Sequence, residues 1–311
     1  MEYIEKISKI VNEIMKTTED VIIVGDNSSG KSDILKNVIN SLPLDRCYFI
    51  DSCNRVFEYN NTLYTGEDSP ETEEVLRERL KDENFNLKDS FGVIGNIERF
   101  YSIYRLEFLN LIKDFLNKDI VIKEDTHGII TKKILQVNNE TYEYLSNGYQ
   151  AIFRIFLELI YATKKNINIK TVIIDEITEF LSVKNEAKIL NFLRDKFPNI
   201  KFIITTHSED IISNTPNTRL VIITENDYEV LDGDDFQTNT EIRRVFSNLF
   251  FSDREEKDEK DKIEIESLLR KLYNKKLFGE WTGKDEEEVE KLGALNLTNS
   301  QKLILKNIKE F

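Results

Sequence analysis

Four prolines and 11 glycines in 311 residues leave little room for long disordered linkers. Cysteine is scarce as well. Cys47 and Cys53 are too few for a disulfide scaffold, and no Cys/His cluster has the spacing of a zinc site. No apolar run is long enough to span a membrane. The N-terminus, MEYIEKISKIVNEIMK, mixes charges throughout, unlike a signal peptide. The expectation is therefore a cytoplasmic protein with no membrane partner. Positive charge is the minority sign: 43 Lys and Arg against 57 Asp and Glu give a net charge of −14. That balance argues against broad, non-specific nucleic-acid binding but leaves a local basic groove open. Neither an internal repeat nor a long heptad array is present. Hydrophobic residues make up 40% and aromatics 10%, ordinary for a globular chain long enough to bury a sizeable core in one or two domains.

What stands out is VIIVGDNSSGKSDILKNVI, residues 21–39. Gly25, Gly30, Lys31 and Ser32 fit the phosphate-loop pattern G-x-x-x-x-G-K-[ST], with Asp26, Asn27, Ser28 and Ser29 between the glycines. Val21 to Val24 form a β-branched run suited to a buried parallel strand, and Ile34, Leu35, Val38 and Ile39 recur at helical spacing. A loop running into a helix N-terminus aims its backbone N–H groups at an anion. Lys31 would then reach the β- and γ-phosphates of ATP, and the Ser32 hydroxyl would ligate Mg²⁺.

Along the chain, residues 3–16 place Ile4, Ile7, Val11 and Ile14 on one helical stripe. RCYFID (46–51) reads as a second strand. SPETEEVLRERL opens a helical region, about 69–118, with Ser69, Pro70 and early glutamates as its start signature. Within it, 90–116 is rich enough in Phe, Tyr, Ile and Leu to suggest one helix roughly 40 Å long. Residues 119–145 alternate in short runs, as antiparallel hairpins do. An apolar helix follows at 149–163. IKTVIIDEI (169–177) and IKFIITTHS (200–208) are buried-strand runs separated by the helix KNEAKILNFLRDKF, and 219–232 reads as strand, turn at 225–227, strand. The alternation predicts an α/β core with a mostly parallel sheet.

Three more motifs carry chemistry. VIIDE (172–176) ends a strand in two carboxylates; Asp175 suits Mg²⁺, and Glu176 is placed to polarise an attacking water. LSNGYQ (145–150) sets Ser146 and Gly148 at a helix start, a second anion site in outline and equally a turn with an N-cap. His207 directly follows a buried strand.

In this order the motifs resemble those of the ABC-type ATPases, over roughly residues 18–232, and point to the soluble SMC/RecF/OLD-like branch. The resemblance implies a P-loop NTPase fold with antiparallel hairpins and a helical subdomain, ATP and Mg²⁺ as cofactors, and a nucleotide-sandwich homodimer or higher oligomer. It implies that Ser146, Asn147 and Gly148, matching the family's L-S-G-G-Q signature with a departure at Asn147 and an extra Tyr149, act on the nucleotide of the opposite subunit. It gives His207 the role of a γ-phosphate sensor, and Ser182, in the place of the D-loop, that of a cross-dimer contact. The sequence departs from the family in two further ways. No aromatic-bearing β-strands precede the P-loop strand, and no glutamine occurs between residues 33 and 135, where the Q-loop residue belongs. Asp51 or Asn54, after the second strand, are the candidate substitutes.

These features divide the chain into an ATPase domain, 1–252, and a helical C-terminal tail, 253–311, entered through the charge run SDREEKDEKDK. Nothing in the tail is nuclease-like, since His127 and His207 both lie upstream. Stand-alone ATPases of this branch often accompany a nuclease or toxin in anti-phage defence, so the resemblance implies an ATP-driven switch on such an effector. The alternatives are a RecF-like repair ATPase that clamps DNA through a groove including Lys132 and Lys133, and a nucleotide-locked scaffold with little hydrolysis. The tail's apolar positions, Ile263, Leu268, Leu269, Leu272, Leu277 and Trp281, then Leu295, Leu297, Leu303, Ile304 and Ile308, suit either a dock for another protein or packing on the ATPase core.

Overall fold

A computed structural model of the chain describes residues 3–233 except 27, 54, 63–69, 89–90, 92–96, 128–129 and 225–226. Of the remainder it describes 265, 268–269, 272, 275–276, 281–293, 295, 297 and 299–310. The chain divides into two compact units, Met1–Asn239 and Thr240–Phe311.

In the first unit, α1 (Tyr3–Lys16) leads into β1 (Asp20–Gly25), α2 (Lys31–Asn40) and β2 (Cys47–Ile50). Next come α3 (Thr72–Leu80), α4 (Tyr101–Leu116) and the strands β3 (Ile120–His127), β4 (Ile130–Val137) and β5 (Glu140–Tyr142). The apolar helix is α5 (Asn147–Lys165). The unit closes with β6 (Thr171–Ile174), α6 (Val183–Lys196), β7 (Lys201–Thr205), α7 (Glu209–Asn214), β8 (Thr218–Ile223) and β9 (Tyr228–Asp232). Six strands form one sheet in the order β2-β6-β7-β1-β8-β9, parallel except for the β8–β9 hairpin; β3, β4 and β5 form a separate antiparallel sheet. The expected α/β architecture with a mostly parallel sheet and antiparallel hairpins is thus the observed one.

The continuous Val/Ile runs become central strands because both faces of the sheet are covered: every residue of β1, β2 and β6 is buried. Register sets the functional ends level. Ile22 and Ile174 both pair with Ile204, and Ile23 pairs with Thr205. The loops after β1, β6 and β7 therefore leave the sheet at one height, where ligands bind in open parallel sheets.

Two expectations need correction. The buried face of α1 is Lys6, Ile7, Ile10, Val11 and Ile14, while Ile4 is 76% exposed. At 100° per residue the stripe centres near Ile14, between Ile10 and Ile7, and Ile4 lies about 90° from that centre, beyond its Val11 edge. The single helix over 90–116 is also not formed. A short 3₁₀ turn, Ile97–Phe100, precedes α4, and Tyr104 has non-helical angles (φ −105°, ψ 18°). Residues 92–96 lie outside the described residues. The helix opened by SPETEEVLRERL begins at Thr72 behind the N-cap Glu71, whose N–H donates to the Glu74 carboxylate at 2.9 Å. Ser69 and the middle of the 225–227 turn lie outside the described residues.

Behind the sheet lies a buried charge network. Arg79 of α3 pairs with Asp51 after β2 (2.9 Å) and with Glu158 of α5 (2.9 Å); Arg154 also grips Glu158 (2.6 Å), and the Tyr48 hydroxyl donates to it (3.1 Å). Burial of all four charged groups makes their pairing obligatory.

In the second unit, α8 (Gly283–Gly293) and α9 (Asn299–Glu310) contribute to a separate core of Leu269, Leu272, Val289, Leu292, Leu297, Leu305 and Ile308, against which Leu268 and Trp281 pack. Most of the described apolar residues expected to dock elsewhere are thus turned into the tail's own core. Leu295 is the exception, 49% exposed. Ile263, Leu277 and the charge run at 252–262 lie outside the described residues, as do the side chains of Leu303 and Ile304.

Removing one partner of a buried ion network strands the others. Arg79→Met is expected to lower the unfolding free energy by about 3–5 kcal/mol, read from urea denaturation. A loss below about 1 kcal/mol would show that the network contributes little.

Candidate functional site

The loop from Gly25 to Lys31 folds back on itself through Ser29 N–H donating to the Asp26 carbonyl at 3.1 Å. Gly30 is the N-cap of α2 with φ +97°, a left-handed conformation that glycine adopts without a Cβ clash. Ser28 also has positive φ, +66°. The turn lets Lys31 reach back over the loop. Its ammonium donates to the carbonyls of Gly25 (2.8 Å) and Asp26 (3.2 Å), and lies 3.0 Å from His207 Nε2 and 3.5 Å from Glu176 Oε1. His207 Nε2 is in turn 3.1 Å from Glu176 Oε1. Three side chains, from the start of α2 and from the loops after β6 and β7, thus meet at one point.

Asp175 is buried beside them. Thr205 Oγ1 donates to its Oδ1, and the Glu176 N–H donates to the same threonine oxygen at 2.7 Å. One hydroxyl at the end of β7 thereby holds the Asp175 carboxylate and the Glu176 backbone. Arg55 Nη2 donates to the Asp175 carbonyl at 2.5 Å. Burial pushes the Asp175 carboxyl above its ordinary value, against the Thr205 hydrogen bond. For Glu176 burial also pushes upward, but the His207 hydrogen bond and charge, with Lys31, outweigh it and hold the group below its ordinary 4.5. Two adjacent carboxylates are thus pulled in opposite directions, one by desolvation and one by cations.

Tyr3, Ser28, Gly30, Lys31, Ser32, Ser52, Asn86, Asp175 and Glu176 are among the residues lining a cavity of about 320 Å³. Its donors suit a nucleotide phosphate: Lys31 brings a cation to it and Ser28 and Ser32 their hydroxyls, beside the N-terminus of α2. Its hydroxyl and carboxylate oxygens are the hard donors that Mg²⁺ takes. Among the sequence-predicted residues, Asn27 lies outside the described residues, and Asp26 contributes its backbone.

Ser146, Asn147 and Gly148 do not line this cavity. Ser146 is the exposed N-cap of α5, its Oγ accepting from the Tyr149 N–H at 3.4 Å. A Cβ on Gly148 would sit 2.8 Å from the Phe180 carbonyl oxygen, so the signature turn presses on the loop before Ser182. Phe180 there has φ +65° and is 52% exposed; Ser182 is the exposed N-cap of α6. Asp51 does not serve as the Q-loop substitute, because the buried pair with Arg79 holds its carboxylate. Asn54 and the Lys132 side chain lie outside the described residues; Lys133 is half-buried.

The motifs did not disclose Tyr3, Ser52, Thr205 or Asn86. Tyr3 comes from the N-terminal helix, and its hydroxyl donates to Asp33 at the cavity rim. Asn86 sits in ENFNLK, which has no motif spacing; its one local signal is asparagine's tolerance of positive φ, here +52°.

The family described as "AAA domain, putative AbiEii toxin, Type IV TA system" matches residues 83–213, a span holding the signature, both carboxylates and His207 but not the P-loop. Solved structures similar to the chain include an ATP-binding cassette of an ABC transporter (13% identity, 75% of this chain and 88% of that one, TM-score 0.43). An SMC head domain from Thermotoga maritima is similar at 15% identity (70% and 90%, TM-score 0.39). So is a dimeric ATP-binding cassette bound to ADP and Pi, at 17% identity (69% and 85%, TM-score 0.37). No curated protein matches the chain. The family match covers less than half of the chain and agrees with the order of the motifs within residues 83–213. No helix among the described residues is long and apolar enough to cross a membrane.

A carboxyl held below its ordinary value stabilises the fold above that value and stops doing so as pH falls through the lowered one. Wild-type stability relative to Glu176→Gln is therefore expected to fall as pH drops from neutral through the range below 4.5. Denaturant midpoints at stepped pH measure it; a difference that stays constant contradicts the His207–Glu176–Lys31 coupling.

Proposed function

We propose that the chain binds ATP with Mg²⁺, hydrolyses it, and uses the cycle to close and open a homodimer that controls a partner effector. The observation that carries this reading is the meeting of Lys31, Glu176 and His207 within 3.0–3.5 Å, from the start of α2 and the loops after β6 and β7, beside Asp175 and Ser32.

In this reading the loop from Gly25 to Ser32 cradles the phosphates through its backbone N–H groups. Lys31 exchanges its contacts with loop carbonyls for phosphate oxygens. Ser32 and Asp175 hold Mg²⁺, which when bound neutralises charge on the phosphates. Glu176, kept ionised by its neighbours, accepts a hydrogen bond from the attacking water and orients it. His207, 45% exposed yet in contact with both Lys31 and Glu176, is placed to register the γ-phosphate. Ser146, Asn147 and Gly148 complete the site across the dimer: Ser146 and Asn147 are exposed, and the neighbouring Tyr144 (82%), Phe180 and Val183 (62%) present apolar surface around them. The family description names a toxin of a type IV system, which favours a toxin or nuclease module as the effector setting.

Glu176→Gln is expected to keep ATP binding while losing about 10²–10⁴-fold in hydrolysis, and to accumulate as a larger species with ATP and Mg²⁺ in light scattering. Adding Ser146→Arg should return the mass to its ADP value while ATP still binds. Mass that ignores both ATP and the Ser146 substitution contradicts the sandwich dimer.

A further inference from the structure

The turn after α3, residues 81–88, brings an amide to the phosphate cavity. It is firmly built. Asn84 Nδ2 donates to the Glu78 carbonyl and carboxylate, both at 2.9 Å, and the Leu87 N–H donates to the Asn84 carbonyl at 2.9 Å. The Phe85 ring stacks on Phe49 of β2 at 5.3 Å. Between these anchors, Asn86 faces the cavity. Its Nδ2 donates to Asp175 Oδ2 at 2.6 Å and reaches Ser32 Oγ at 3.4 Å, while the Ser52 N–H approaches its Oδ1 at 3.5 Å. One amide therefore touches both side chains assigned to the divalent cation, from a segment that belongs to none of the sequence motifs.

An NH₂ group is the electropositive end of the amide, and here it lies against the carboxylate that a cation would claim. A cation on Asp175 Oδ2 would therefore have this electropositive group as its neighbour. A half-turn about the last side-chain bond replaces NH₂ by a carbonyl oxygen, a hard donor of the class Mg²⁺ and Mn²⁺ accept, directly or through a bound water.

We propose that Asn86 is a positioning residue of the divalent-cation site: its NH₂ competes with the cation for Asp175, and its amide turns Oδ1 toward the cation when one binds. The inference rests on the reading that the chain binds ATP with Mg²⁺, and it adds a group that switches between donor and acceptor. Its consequence is that cation arrival is felt by the turn after α3. That helix carries Arg79, whose guanidinium holds Glu158 on the signature helix α5.

The test uses the full chain, Mn²⁺ as the probe and a slowly hydrolysed ATP analogue, with bound Mn²⁺ counted by electron paramagnetic resonance. Asn86→Gly and Asn86→Asp are the variants, because both residues tolerate the positive φ of this position better than alanine does. Asn86→Gly should weaken Mn²⁺ binding by about 10–100-fold while leaving analogue binding without divalent cation unchanged. Asn86→Asp should bind Mn²⁺ at least as tightly as the wild type. Its melting temperature should also rise more steeply with Mn²⁺, because facing carboxylates repel until a cation joins them. Wild-type Mn²⁺ affinity in both variants, with analogue binding intact, overturns this inference and spares the ATP reading. A wild-type chain that binds no analogue overturns both.

Discussion

Lys31 is a positive charge that is only 8% exposed, and the arrangement of the site follows from what that requires. A buried ammonium needs partners on every donor or it loses its proton or its place. Here the partners are two loop carbonyls, a carboxylate and an imidazole, drawn from the ends of three strands. The glycine at position 30 permits the turn, the parallel register sets the strand ends level, and Thr205 holds the Asp175 carboxylate and the backbone of Glu176, whose carboxylate faces the ammonium. A phosphate offers the same kind of partner, so the site is organised in advance around the position a phosphate would take.

The second level of organisation lies behind the sheet. Arg79, Glu158, Arg154 and Asp51 join β2, α3 and α5 through charges with no access to water. Those elements carry the two features outside the P-loop that matter to the proposed cycle: the Asn86 turn follows α3, and Ser146 caps α5. Ion networks of this kind resist partial rearrangement, because breaking one contact exposes the cost of the rest. The Asn86 turn and α5 are thereby joined through shared ionic contacts of Arg79.

Much of this was legible in the sequence, for a physical reason. The P-loop, the strand ending in Asp175 and Glu176, and His207 are each short contiguous stretches whose residues act where their own strand ends. Continuous Val and Ile runs also announced the parallel sheet. Asn86, Thr205 and Tyr3 were not legible because their roles come from tertiary placement, and Asp51 was misread because position after β2 says nothing about the arginine waiting in α3. Composition misled at 90–116, because richness in aromatic and aliphatic residues does not report the 3₁₀ turn at Ile97–Phe100 or the break at Tyr104. Periodicity misled at Ile4, which sits at the edge of the buried stripe in the first turn of α1 and is exposed there.

The most direct test of the central claim is ATP turnover and binding by Lys31→Ala beside the wild type, measured as phosphate release and by calorimetry with Mg²⁺. If Lys31 is the cation that joins the P-loop to Glu176 and His207, the variant releases no phosphate above background and binds ATP far more weakly, while its urea unfolding stays cooperative. Near-normal turnover in a folded Lys31→Ala protein would contradict the account and place nucleotide chemistry, if any, elsewhere in the chain.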